Sequence, residues 1–136
     1  MTRILVTGSR DWTDRYLIAS AISKIRDDSR GITIVHGACP AGADALADEI
    51  AYGLGYTREP HPADWDRYGK RAGFQRNEYM VGLGADACLA FICPCRKEEC
   101  TIRRVHGSHG ASNCSRLARI AGIETHIFYP RKGATL

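Results

Sequence analysis

The sequence predicts an α/β fold, with a mainly parallel five-stranded sheet and helices on both faces. Two observations predict it. Short apolar or β-branched runs alternate about five times with stretches whose apolar residues recur at helical spacing. The corners that lead from strand to helix are rich in glycine and small residues, as turns of a β-α-β chain require.

The elements follow in order. Arg3 to Gly8 ("RILVTG") is an apolar run that ends in glycine, a first strand. "TDRYLIASAISKIRDD" places Ile18, Ala21, Ile22 and Ile25 on one helical face, with Asp11 or Thr13 as its cap and Gly31 as its close. "ITIVHG" (32–37) is β-branched and reads as the second strand. Residues 42–54 put Ala43, Leu46, Ala47, Ile50 and Leu54 on one face of a second helix. "YTREP" (56–60) is a poor strand by composition but stands where the third strand belongs. A weaker helix is expected over 70–82, ending near Gly82 and Gly84. "DACLAFI" (86–92) is a buried type of strand. Cys114, Leu117, Ala118 and Ala121 mark the last helix, stopped by Gly122, and "ETHIFYP" (124–130) is the last strand. The crossovers are expected to be right-handed. No repeat or linker divides the 136 residues, so one domain is expected over 1–130, with a flexible tail at 131–136. The one long irregular stretch is the Cys/His-rich loop at 93–110.

Composition narrows the function. Apolar residues make up 44% and charged residues 25%, values of a soluble globular chain. No apolar run approaches membrane length, and Met1-Thr2-Arg3 leads into a strand without a signal peptide, so the cytoplasm is the expected compartment. There the six cysteines are not expected to form a disulfide framework, and Cys39 and Cys88 read as small buried hydrophobes. The net charge of +4 favours anionic ligands but is no dense basic stripe.

In an open α/β sheet, ligands sit at the carboxyl ends of the strands. Three corners there have the same design. In "TGSRDW", Gly8 lets a ligand approach the backbone, Ser9 offers a hydroxyl and an N–H, and Arg10 offers a planar fork for phosphate or carboxylate. In "HGACPAGADALA", Gly37 and Gly42 bracket a turn, and the helix that opens at Gly42-Ala43-Asp44 presents free N–H groups. The corner lacks the Gly-Lys-Ser/Thr ending of a P-loop. His36 is either a ligand contact or simply hydrogen-bonded, and Asp44 is either a site residue or only a complement to the helix dipole. In "HGSHGASN", Gly107 and Gly110 permit close approach while Ser108 and Ser112 donate or cap. Each corner also has a plain reading as a turn.

Two further segments carry candidate chemistry. In "HPADWDRYGKRAGFQRNEY", Trp65 and Tyr68 can stack on a base, Asp64 can bond ribose hydroxyls or a base amine, and Arg76 can pair with phosphate. The alternative is a hydrophobic plug with Asp64 as a helix cap. Cys93, Cys95, Cys100 and Cys114 are candidate zinc ligands, although Cys93-Pro-Cys95 leaves only one residue between thiols. No cofactor is otherwise expected.

"VTGSRDW", "HGACPAGADALA", "HPADWDRYGKRAGFQRNEYMV", "DACLAFI" and "SRLARIAGI" together resemble the YspA/cpYpsA-related SLOG family, over roughly residues 3 to 129. That family is similar to the Lonely Guy phosphoribohydrolases and to the Rossmann-like domain of DNA-processing protein A. The resemblance implies a single Rossmann-like domain that binds a nucleotide or nucleotide-derived ligand. It also implies a sensor or sequestering role in conflict or stress systems, phage-borne ones included, and a homo-oligomer. By this match Gly8, Ser9 and Arg10 belong to the first ligand loop, and Gly37, Gly42, Ala43 and Asp44 to the second. Arg76, Asn77 and Met80 fill an "RN..M" segment, of which Arg76 matches a catalytic arginine of the phosphoribohydrolases. Gly107 and Gly110 match glycines of their phosphate loop.

That loop departs from its pattern. His106, Ser108 and Ala111 stand at its proline, second glycine and threonine, and Cys114 stands at the catalytic glutamate. A carboxylate there would stabilise charge developing on ribose, which a neutral thiol does not do. Asp44 and Glu78 are the substitute candidates for catalysis, with Arg76. Three classes follow. A nucleotide-ligand sensor is preferred, and a nucleotide N-glycosidase or phosphoribohydrolase is the enzyme alternative. A DNA-binding module, using Arg96, Lys97, Arg103, Arg104, Arg131 and Lys132, is less favoured by the charge and scarce aromatics.

Overall fold

A computed structural model describes residues 2–26, 30–95 and 107–131. Five strands form one sheet in the order β3-β2-β1-β4-β5, and every neighbouring pair is parallel. They are β1 (Thr2–Gly8), β2 (Ile32–His36), β3 (Thr57–Pro60), β4 (Ala87–Phe91) and β5 (Glu124–Phe128). Between them lie α1 (Arg15–Ser23), α2 (Ala43–Gly53), α3 (Trp65–Tyr68), α4 (Ala72–Gly82) and α5 (His109–Ile120), with a 3-10 turn (Gly69–Arg71) ahead of α4. The parallel α/β sheet expected from the alternation is therefore present, in the Rossmann-like arrangement that the resemblance implies.

Side-chain alternation along β1 explains the two helical layers. Ile4 and Val6 join Ile32 and Ile34 of β2 under Ile18 and Ile22 of α1 and Ala47 and Ile50 of α2. Leu5 and Val35 face the other way, against Met80 and Val81 of α4 and Cys114 and Ala118 of α5. Residues i and i+1 of a strand thus serve different cores, which is why central strands of this kind read as unbroken apolar runs. The edge strand β3 is mostly exposed, and this accounts for its polar "TREP".

Several boundaries differ from the expected ones. Asp14, not Asp11 or Thr13, caps α1, its carboxylate accepting the Leu17 N–H at 3.1 Å. The helix stops at Lys24, not at Gly31, and Gly31 turns the chain into β2 with φ +100°. The helix expected over 70–82 is present as α4 with the 3-10 turn ahead of it; the short α3 before it was not expected, and Gly69 at φ +58° separates α3 from that turn. Cys39 is half-buried in a loop and not a core residue, whereas Cys88 is fully buried.

Trp12 had no assigned role, and the fold gives it one. It is 2% exposed, meets Phe91 edge-on at 5.4 Å, and donates its Nε1–H to the Asp14 carbonyl at 3.0 Å. Phe91 stacks in turn on Phe128 at 4.9 Å. On the opposite flank, Arg3 grips Glu59 through two bonds of 2.7 and 2.9 Å, tying central β1 to edge β3.

Two expected outcomes follow. Trp12→Ala should cost about 3–5 kcal/mol in urea denaturation, as deletion of a buried aromatic does, and a loss below about 1 kcal/mol would contradict the packing. The Glu59 carboxyl is held down to about 2 from an ordinary 4.5, first by the Arg3 hydrogen bond and then by that of His61. Its contribution is present above 4.5 and lost as pH falls toward 2. Acid titrations of Glu59→Gln should show a shallower loss of stability across that window than the parent.

Candidate functional site

β2 and β3 run to one side of β1 while β4 and β5 lie on the other, so the chain reverses its direction of travel between β1 and β4. Crevices at such reversals are where α/β sheets bind ligands. The loop after β1 stands there, and Ser9 is its centre. Ser9 is buried, and its N–H donates to the Phe91 carbonyl at 2.9 Å. Its carbonyl accepts from Ala43 and from Trp12, both at 3.2 Å. Its Oγ accepts the Cys93 N–H at 2.7 Å and lies 2.6 Å from Ser108 Oγ. Ser9 thus joins the ends of β1 and β4 to the starts of α2 and α5, and both its N–H and hydroxyl are engaged inside the protein.

The glycines serve that convergence. A Cβ at Gly8 would overlap Ala43 Cβ and stand 2.7 Å from the Phe91 carbonyl oxygen. At Gly42 a side chain would run into the Ser9 carbonyl and the Arg10 backbone, and φ of +80° excludes one anyway. Gly37 is filled by the Arg76 guanidinium, 2.6 Å from the position of its Cβ, and Gly107 by Ile92 and Ser112. The sequence suggested room for a ligand at these corners; protein atoms occupy it. Only Gly110, of those glycines, has open space where a side chain would stand.

Arg76 on α4 lies at the heart of the cluster. Its Nη1 donates to the carbonyls of Gly37 at 2.5 Å and His61 at 3.3 Å, and its Nε to Asn77 Oδ1 at 2.9 Å. None of these acceptors is a carboxylate, so the guanidinium is fixed without a direct ion pair among the described residues, with the Asp44 carboxyl nearby across Gly37. Asn77, itself buried, passes the connection on: its Nδ2 donates to the Gly110 carbonyl at 3.2 Å and to Asn113 Oδ1 at 3.1 Å, at the start of α5. Arg10 is exposed, 5.9 Å from the Trp65 ring centroid. Asp64 caps α3 by accepting the Arg67 N–H at 3.1 Å.

The two helix starts differ in charge. Asp44 sits in the first turn of α2, 4% exposed, and its Oδ2 accepts the N–H groups of Gly37 at 3.1 Å and Cys39 at 3.3 Å. This staples the loop, in which Ala38 is held at φ +58°. Oδ1 is buried without a partner among the described residues. Burial pushes the Asp44 carboxyl above its usual range, against the opposing pull of His36, Cys39 and Arg76. His36 accepts the Ala38 N–H at Nδ1 and reaches Asp48 through Nε2 at 2.8 Å. By contrast, the first turn of α5 holds no acidic residue, and its N-cap Ser108 makes no side-chain cap bond. That end of the cluster is the more receptive to an anion.

Other candidates fall elsewhere. Glu78 is exposed on α4 and lines a cavity of about 560 Å³ with Val81, Leu117 and Ile123, apart from the glycine corners. Cys114 is buried beside Leu5 and Cys88, its thiol pushed up to about 11 by burial, and so is a neutral core residue. Cys93 is also buried, and Cys95 Sγ lies 3.4 Å from His109 Nε2. Among the described residues no group of three or more His, Cys, Asp or Glu is placed to hold a metal. Cys100, His106, Arg96, Lys97, Arg103, Arg104 and Lys132 lie outside the described residues. No helix among the described residues is long and apolar enough to cross a membrane.

Comparison with known proteins agrees with this architecture. The family model described as "YspA, cpYpsA-related SLOG family" matches residues 2–68, from β1 through α3. The Gene 61 protein of Mycobacterium phage D29 is 40% identical over 129 residues, covering 90% of this chain and 93% of that protein. No solved structure matches. With the β1 and β2 corners inside the matched segment and a phage protein similar along nearly its whole length, the chain belongs to the YspA, cpYpsA-related SLOG family.

Proposed function

We propose that the chain binds a nucleotide or nucleotide-derived ligand at the reversal point of the sheet and acts as a sensor or sequestering domain. The observation that carries this reading is Arg76: a guanidinium fixed on three oxygens, none of them a carboxylate, beside the acid-free start of α5. The phosphate lies at that helix start within reach of Arg76 and Arg10. The base lies on the half-exposed face of Trp65, whose ring stands over Gly73 next to Arg76 Nη2. The phage relative supports a phage setting. The family's resemblance to oligomeric proteins supports self-association, which light scattering would test.

Hydrolysis of the N-glycosidic bond is the second reading, and Asp44 is the observation in its favour, a buried carboxyl beside Arg76. Cys114 cannot take the acid's part, because its thiol is neutral at working pH. On this reading adenosine 5′-monophosphate releases free adenine, and Asp44→Asn abolishes the release. Intact ligand recovered after denaturation of the purified protein, identified by mass spectrometry, supports binding alone.

Arg76→Ala should weaken adenosine 5′-monophosphate by about 1.5–3 kcal/mol, the range for a charge-assisted bond, and adenosine far less. Calorimetry on both compounds measures the difference, and equal losses would overturn the phosphate assignment. Asp44 gives a prediction on stability. Its raised carboxyl pKa makes the folded state hold a proton the unfolded chain gives up, so the contribution of this one group is greatest below 3.8 and falls as pH rises from there to the folded value. Asp44→Asn removes that term. The variant should lose less stability than the parent between pH 4 and pH 7, as read by thermal melts at about those values, and an identical pH profile would show that the burial carries no such cost.

A further inference from the structure

The α3 segment buries none of its residues, yet it presents a dense set of ligand-type groups. Trp65 and Tyr68 stand one helical turn apart, 49% and 39% exposed. Each carries a guanidinium near its ring, Arg10 at 5.9 Å from Trp65 and Arg67 at 5.1 Å from Tyr68. Lys70 and Arg71 follow, both exposed in the 3-10 turn. None of these four cations makes an ion pair among the described residues. The arm also begins at the site already described. A Cβ on Gly73 would lie 3.4 Å from Trp65 Cη2 and 3.9 Å from Arg76 Nη2, so the indole edge and the buried guanidinium flank the same residue.

A mononucleotide needs one aromatic platform and the cations around its phosphate. Trp65, Arg76 and Arg10 meet that need. Tyr68 with Arg67, and Lys70 with Arg71, add a second exposed ring and further cations on the same segment. We infer that α3 and its following turn form a second nucleotide subsite, and that the ligand consists of two nucleotides joined by a phosphodiester. Its first base stacks on Trp65 and its second on Tyr68, with the linking phosphate near Arg67 and Lys70. The inference rests on the binding reading above and extends it to a ligand class.

Trp65 is also the reporter, since Trp12 is buried and only Trp65 can be quenched by stacking. The full-length chain would be titrated, by tryptophan fluorescence and calorimetry, with adenosine 5′-monophosphate, linear 5′-phosphorylated di-adenylate and cyclic di-adenylate. At least one of the two-base compounds should bind about tenfold tighter than the monophosphate, the gain expected from one added stack. Whichever gains more identifies a linear or a cyclic source. Tyr68→Ala should reduce the two-base compound to the affinity of the monophosphate and leave the monophosphate within about twofold. Arg67→Ala should weaken the two-base compound alone. Equal affinity for one-base and two-base compounds, or equal losses on Tyr68→Ala, would overturn the second subsite while leaving the first intact. Failure of all three compounds to bind would overturn the binding reading, and the second subsite with it.

Discussion

One buried serine organises the carboxyl edge of this sheet. Ser9 bonds to Phe91, Ala43, Trp12, Cys93 and Ser108, so segments that are distant in sequence share one small set of polar atoms. The arrangement is self-consistent because each of those buried groups would otherwise lack a partner, at a cost of about 1–3 kcal/mol apiece. It also dictates the glycines. Segments drawn this tightly together leave no volume for side chains at Gly8 or Gly42. What looks in sequence like a surface made for a ligand is first a joint made for the protein.

That distinction sets what could be read from the chain alone. Periodicity is local, so the strands, the two helical layers and the parallel order were legible in runs such as "ITIVH" and "ALADEI". Edge strand β3 was legible only from its position, since an exposed strand loses the apolar signature. The partner of a hydrogen bond is not local. Ser9 meets Ser108 across 99 positions and Arg76 meets Gly37 across 39, and no period encodes either. Arg76 is legible as a phosphate-type side chain and Asn77 only through the family resemblance, while the carbonyls and amides that hold them lie far away in the chain. The burial of Trp12 is not legible because it follows the loop glycine and lies outside any apolar run.

The distribution of charge gives the site its sign. Arg3, Arg15, Arg58 and Arg131 are each bound to a carboxylate on neighbouring structure. Arg10, Arg67, Lys70, Arg71 and Arg76, on the loops beyond β1 and β3 and on α4, make no ion pair among the described residues. A net charge of +4 therefore understates the local field. Cations that are positioned by carbonyls or rings keep their attraction for an incoming anion, and they need not first break an ion pair to use it.

Asp44 is the exception within that field, and it is informative for that reason. Its carboxyl lies in the first turn of α2, so the dipole of that helix is already answered from inside the protein. A phosphate placed there would meet a side chain that already takes the Gly37 and Cys39 N–H groups; one at α5 would meet no acidic side chain in the first turn. The two helix starts that flank Ser9 are therefore not equivalent. One is closed by a loop-stapling acid and the other holds no acidic residue in its first turn; on the proposed reading, this asymmetry would give a bound nucleotide a direction, its phosphate toward Gly110 and its base toward α3.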